Sequence, residues 1–269
     1  MAESMSQLLP RVLQYRSLLA ELTKREILGR YRGAAIGLLW SLISPFLMLM
    51  VYTLAFGYIL KSRWPGTSGS TTDFALILFT GLIIHGFFAE CLTRAPNLVL
   101  SNPSYVKRVV FPLELLACST MLTALFHLGM NALVLILLKW VWHGELFWHT
   151  LLLPVVIAPL AILAVAVGWF LSALGVYLRD IGQIVGVLAA AMLFLSSAIV
   201  PVDSLPESYR WVFYANPLTM IIDQAREVVI WGRMPDWSAL GLYTACVTVL
   251  AALALAVFRR MRGGFGDVL

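Results

Sequence analysis

Six stretches of this chain carry almost no charge, and each is long enough to cross a hydrocarbon layer as a helix. They lie near residues 36–60, 74–93, 113–138, 151–178, 181–200 and 238–258. A bilayer core about 30 Å thick takes about 20 helical residues at a rise of 1.5 Å each. Apolar residues make up 61% of the 269 and charged residues 12%, where a soluble domain carries roughly 25% charge. Such a chain cannot be disordered, a disulfide scaffold or an ordinary water-soluble enzyme. The fold class expected is all-α integral membrane, with six transmembrane helices. Residues 1–35 form an interface helix and residues 36–269 the six-span domain.

Charge sets the orientation. The segment before the first span holds Arg11, Arg16, Lys24, Arg25, Arg30 and Arg32. Arg94, Lys107 and Arg108 follow the second span, Arg179 the fourth, and Arg259, Arg260 and Arg262 the sixth. The other loops hold Lys61, Arg63, Lys139, Arg210, Arg226 and Arg233. Thirteen of the 19 Lys and Arg thus fall on one side, and the positive-inside rule puts both termini in the cytoplasm. With no short apolar leader ahead of it, the first span is expected to act as its own insertion signal. Trp64, Trp140, Trp142, Trp148, Trp231 and Trp237 cluster at the opposite ends of the spans, as an interfacial belt does.

Small residues recur at every fourth position in span four (Ala164, Gly168, Ser172) and span five (Gly182, Gly186, Ala190). This spacing lets helix backbones approach closely, either within one chain or between two copies. Cys91, Cys118 and Cys246 lack CxxC spacing and read as buried thiols; no His pair has zinc spacing. No internal repeat is visible.

Three segments lie outside the spans. Leu8, Val12, Tyr15, Leu19 and Leu22 share one helical face, giving a basic amphipathic helix in the cytoplasmic interface. In the loop after span two, Asn102-Pro103 reads as cap plus first helical residue of a short helix, 104–110, that carries Tyr105, Lys107 and Arg108. This is a docking element or a solvated basic loop. On the outer side, Ser204-x-x-Glu207 reads as a capping box, and Asn216-Pro217 opens a second, amphipathic helix running to about Trp231. That helix is too short to cross, so 201–232 is expected to be a re-entrant hairpin with Asp223 and Arg226 paired at i,i+3.

A GxxxxGK[ST] phosphate loop, GxSxG and HExxH are all absent. Glu90 suits an ion pair with Arg94 four residues on, and Glu114 suits the first turn of span three. Tyr52 and Phe56 share a face of span one; Phe79 and Phe87 share a face of span two. Such rings either stack on carbohydrate along a pathway or pack against protein and lipid.

Several motifs, taken in order, resemble the permeases of bacterial polysaccharide export in the type-2 ABC transporter superfamily. They are Arg30-Tyr31-Arg32-Gly33 with Ile36 to Trp40, Pro45, Val51-Tyr52-Thr53 and Phe56-Gly57; Val106 to Glu114; Arg179-Asp180; and Pro201-Val202, Leu205-Pro206, Asn216-Pro217-Leu218-Thr219 and Arg226. The resemblance implies a half-transporter in the inner membrane: a homodimer with two copies of a separate ATPase beneath, which holds the ATP and Mg while this chain carries no cofactor. It implies that the N-terminal helix and 104–110 are docking elements, with Tyr105, Lys107 and Arg108 at the ATPase. It implies an outer gate that includes Leu205, Pro206, Asn216, Pro217, Asp223 and Arg226; if the hairpins of two copies meet near the dimer axis, cysteines placed at Leu218 should crosslink. The implied cargo is lipid-linked O-antigen first, with capsule or teichoic acid as alternatives.

A permease for drugs or small lipids shares the expected fold. An intramembrane transferase would need polar residues converging at one depth, and a channel or ion-coupled carrier would work without an ATPase.

Overall fold

A computed structural model describes residues 14–59, 64–65, 70–106 and 111–268, and among these every regular element is helical. Helix α1 (Arg16–Arg30) precedes the first span, which runs from a 3-10 turn at Gly37 through α2 (Trp40–Tyr52) into a π-helical stretch, Thr53–Ile59. Then come α3 (Thr71–Arg94), the short α4 (Pro103–Val106), α5 (Glu114–His143), α6 (Leu153–Tyr177) and α7 (Ile181–Phe194). The outer segment holds α8 (Glu207–Ala215) and α9 (Pro217–Arg226), the latter extended by a π turn to Trp231; α10 (Trp237–Arg262) and α11 (Phe265–Val268) end the chain.

Local chemistry places these ends. The Ser70 hydroxyl accepts from the Thr72 N–H at 3.3 Å to open α3, and Asp236 accepts from Ser238 and Ala239 to open α10. Gly144, at φ 70°, closes α5 in the left-handed region that favours glycine.

The centre of the bundle is α3 and α6, whose Ile77, Leu160 and Ala173 are fully buried. The small stripe of α6 packs inside the chain: a Cβ on Gly168 would lie 2.9 Å from Ala117 Cβ on α5. The stripe of α7 does not, since Gly182 and Gly186 meet nothing within 4 Å. In a bilayer such close approach is held by van der Waals contact, because lipid tails are as apolar as leucine.

Five helices are long and apolar enough to cross a membrane among the described residues: Gly37–Ile59, Thr71–Asn97, Glu114–His143, Trp148–Tyr177 and Trp237–Arg262. The fifth expected span is shorter than the sequence suggests, with α7 stopping at Phe194 instead of near residue 200. The reason is a set of side chains from the outer segment that bind carbonyls in the last turn of α7 and just beyond it. Asn216 Nδ2 donates to Met192 O and Leu195 O, both at 2.9 Å, and Arg226 donates to Ser197 O at 2.7 Å and Ala198 O at 3.0 Å. Irregular backbone is tolerated at depth when protein groups satisfy it in this way.

Other expectations are corrected. The capping box does not form: Ser204 ends a 3-10 turn and its hydroxyl donates to Pro201 O at 2.7 Å. Leu205, ahead of Pro206, is held extended at ψ 149°, so the helix begins only at Glu207. Leu218 is fully buried and cannot meet a second copy. Cys246 is exposed on α10, while Cys91 and Cys118 are buried as expected. Of the helix expected over 104–110, residues 104–106 lie in α4, whereas Lys107 and Arg108, like Leu8 and Val12, lie outside the described residues.

Candidate functional site

The N-terminal helix is tied to the bundle by ions. Glu26 on α1 accepts from Arg94 Nη2 at 2.9 Å, Thr123 Oγ1 at 3.1 Å and Ser119 Oγ at 3.3 Å. Arg30, at the end of α1, donates to Glu90 at 2.6 Å. Glu90 also meets Arg94 at 3.4 Å, as its spacing predicts, and His127 Nδ1 at 2.9 Å. An ionised carboxylate only accepts, so Nδ1 carries the proton. The buried Nε2 of the same ring has no hydrogen-bond partner among the described residues. In the connection from α1 to the first span, burial raises the Tyr31 phenol above its ordinary pKa, the Arg30 charge opposing and Glu90 adding to the rise.

This network closes one end of a cavity of about 790 Å³ between α1, α2, α3 and α5. Tyr52, Phe79 and Phe87 line it, together with Trp40, Met48 and Asn131. Phe56, grouped with them by sequence, packs instead between Tyr52 and Phe74 with centroids 6.4 Å from each. The cavity is therefore amphipathic, with rings and methylene groups on one wall and guanidinium, carboxylate and imidazole at one end.

A second groove, about 690 Å³, lies between α1 and the loop before α5, lined by Lys24, Arg25, Arg32, Tyr105 and Phe111 among others. Tyr105 stacks on Phe111 at 4.2 Å, nearly parallel, and the Arg25 guanidinium stands 5.9 Å above the Tyr105 ring.

The outer residues form a third group. Asn216 caps α9 by accepting from the Leu218 N–H at 3.0 Å, as the sequence predicts, and Pro217 starts that helix with its carbonyl accepting from Tyr243 at 3.1 Å. Asp223 meets Arg226 at 3.3 Å. Arg226 is fully committed: besides Ser197 and Ala198 it donates to Ile77 O at 3.1 Å, and its guanidinium lies 4.4 Å from the Trp64 ring centre. Gly81 makes room for it, since a Cβ there would lie 2.7 Å from Ala198 Cα and 2.9 Å from Arg226 Nη2. Leu205 O accepts from Arg210 at 3.0 Å, and Pro206 precedes α8. Lys139 donates to Val229 O and stands over Phe147, fastening the outer segment to α5 as well.

Among the described residues, Tyr105, the cavity-lining aromatics and the outer residues thus occupy separate places and do not form one site. Sequence reading missed Glu26, Arg30 and His127. Their signal was present: Ser119, Thr123, His127 and Asn131 recur at spacing four on span three, a polar stripe in an apolar helix.

Comparison with known proteins agrees with the motifs. The chain is 27% identical to the O-antigen export system permease protein RfbA of Myxococcus xanthus over 265 residues, 98% of this chain and 99% of that protein. It is 23% identical to a Klebsiella pneumoniae protein of the same name over 94% of this chain and 95% of that one. It is 26% identical to the polysialic acid transport protein KpsM of Escherichia coli over 87% of this chain and 90% of that one. The family described as ABC-2 type transporter matches residues 17–230. This multi-pass membrane chain belongs to the ABC-2 type transporter family.

Proposed function

We propose that this chain is the membrane subunit of an ATP-driven exporter that moves lipid-linked polysaccharide, O-antigen in first place, out of the bacterial cytoplasm. The observation that carries this reading is end-to-end similarity, 98% of this chain against 99% of the M. xanthus O-antigen permease. The similarity to KpsM favours capsule as the second reading.

In this reading the chain crosses the inner membrane six times with both termini cytoplasmic, and α7 with residues 195–200 makes the fifth crossing. Parity supports it: Arg262 near the end of α10 meets Glu114 at the start of α5 at 3.3 Å, and Tyr177 meets Met261 at 3.0 Å. With Glu114 and Arg262 on one side, an even number of crossings lies between them, and this reading gives one of those to α7 with residues 195–200. The segment 201–232 is then a re-entrant outer hairpin, and 1–35 an interface helix. The subunit works as a homodimer above two copies of a separate ATPase that supplies the ATP and Mg site. The outward small stripe of α7 suits contact with a second copy. The groove at Arg25, Tyr105 and Phe111, with Lys107 and Arg108 beside it in sequence, is the proposed ATPase contact; Tyr52, Phe79 and Phe87 line the proposed pathway.

The test is deletion of the gene followed by analysis of glycan-lipid inside the cell and glycan at its surface. Intracellular accumulation of an O-antigen lipid supports the first reading and of a capsule lipid the second. Normal surface glycan of both kinds refutes export.

A further inference from the structure

We propose that the end of the last span sets the proposed ATPase contact: Arg262, the final residue of α10, acts through Phe111 as a positioning residue for Tyr105. This rests on the assignment of the Tyr105 groove to the ATPase above and deepens it by naming what holds that surface in place.

The connection begins at a carbonyl. Phe111 stands before Pro112 and outside α5, so no helical ladder fixes its backbone oxygen. Arg262 Nη2 donates to that oxygen at 3.2 Å, while Nη1 of the same guanidinium reaches the two carboxylate oxygens of Glu114 at 3.4 Å and 3.3 Å. One planar fork thus spans the loop and the first turn of α5. The Phe111 ring stacks on Tyr105 at 4.2 Å, 8° from parallel, in the groove that Arg25 also lines. Where Phe111 sits therefore fixes where the Tyr105 ring sits.

Arg262 itself leaves a well-held part of the chain. Tyr177 Oη donates to Met261 O at 3.0 Å. Phe265 is 1% exposed, with the rings of Phe258 and Tyr177 at 5.7 Å and 6.1 Å. A Cβ on Gly264 would lie 2.5 Å from Tyr177 Oη, so the turn after α10 fits closely against α6. The guanidinium starts from this fixed point and ends on a loop, and the loop is the part that it orders. Glu114 does not depend on Arg262 for a counter-charge, because Arg259 Nε lies 3.6 Å from the same carboxylate. What Arg262 adds is the hold on Phe111 O. Since α10 packs along α6, movement at the contact surface is tied through Arg262 to the fourth and sixth spans.

The experiment measures the affinity of the ATPase for the chain in phosphatidylcholine nanodiscs, in a double-mutant cycle of Arg262→Gln and Tyr105→Ala. Each single variant is expected to weaken binding about tenfold. In the Tyr105→Ala background, Arg262→Gln is expected to weaken it less than about twofold further, since the ring through which it acts is gone. A purely structural Arg262 predicts independent losses that multiply. Arg262→Lys keeps the charge beside Glu114 but cannot reproduce the fork, so it should melt like wild type and still bind weakly. Full recovery of affinity by lysine makes the residue a counter-charge only and overturns the proposal. If melting shows that Arg262→Gln does not fold, Arg262→Lys takes its place in the cycle. Unchanged affinity of the Arg262 variant, or losses that multiply, while Tyr105→Ala binds weakly, overturns the positioning role and leaves the contact standing. Wild-type affinity of Tyr105→Ala removes the contact itself, and the positioning role with it.

Discussion

Asn216 Nδ2 lies 2.9 Å from Leu195 O, and through that contact a residue that opens one helix also closes another. Its Oδ1 accepts from the Leu218 N–H at the start of α9, while its amide binds carbonyls at the end of α7. The outer segment therefore does not hang loosely from the bundle. Asn216, Arg226 and Lys139 fasten it to α7, α3 and α5, so movement at this end must involve those helices as well.

Replacing Asn216 with Ala removes a cap and two donors together. The cap contributes about 1 kcal/mol and each lost hydrogen bond about 1 kcal/mol. Denaturation of the purified protein is expected to register a loss of about 2–3 kcal/mol, while Asn216→Ser, which keeps a capping oxygen, should lose less. Equal stability of Asn216→Ala and wild type would show that the two helix ends hold without it.

Two glycines on α3 should respond in opposite directions. Gly81→Ala drives a Cβ into Ala198 and Arg226 and is expected to destabilise by about 1–3 kcal/mol. Gly86→Ala meets nothing within 4 Å and is expected to be neutral or to stabilise the helix by up to about 1 kcal/mol. Side-by-side melting curves decide; like behaviour of the two would place the Arg226 junction wrongly.

Cysteine reactivity checks the outer segment. In a Cys246→Ser background, Leu218→Cys should remain unlabelled by a maleimide in folded protein, because Leu218 is 0% exposed. Trp211→Cys, at a position 69% exposed on α8, should label readily. Rapid labelling at 218 would mean that α9 is not packed inward.

The Asp236 cap is sensitive to acid. The Ser238 hydroxyl, then the Ala239 N–H, hold its carboxyl below its ordinary pKa. A depressed folded pKa gives stability that is fully present above the unfolded value, about 3.9, and is lost as pH falls through the folded one. Wild type should therefore exceed Asp236→Ala in thermal stability at pH 7, and the gap should narrow below about pH 4. A gap that does not change with pH would mean the charge contributes nothing to the cap.

Charge reversal tests the proposed ATPase contact. Lys107→Glu with Arg108→Glu should weaken co-purification with the ATPase by at least about tenfold where the partner surface is acidic. Membrane insertion should be unchanged, because most of the inner positive charge remains. Undiminished co-purification would make this loop a solvated one.

Much of this protein was legible from sequence because its signals are local. Long uncharged runs specify helices in lipid, Asn216-Pro217 specifies a helix start, and Glu90 with Arg94 or Asp223 with Arg226 meet because one helical turn brings them together. The motifs from Arg30 to Arg226 pointed to the family by the same local route. Where local rules competed, the nearer constraint won: the peptide before Pro206 stays extended whatever Ser204 and Glu207 favour. What only the tertiary structure decided are contacts between residues far apart in the chain. Arg30 and His127 both reach Glu90, Glu26 reaches Arg94 and Thr123, and the end of α7 is set by Asn216 from another segment. Periodicity states which side of a helix is polar but not which helix it faces. The stripe Ser119–Thr123–His127–Asn131 became a site only when packing set α1 and α3 against it. In a chain this apolar, a buried ion is stable only beside its partner, so packing decided where the chemistry is.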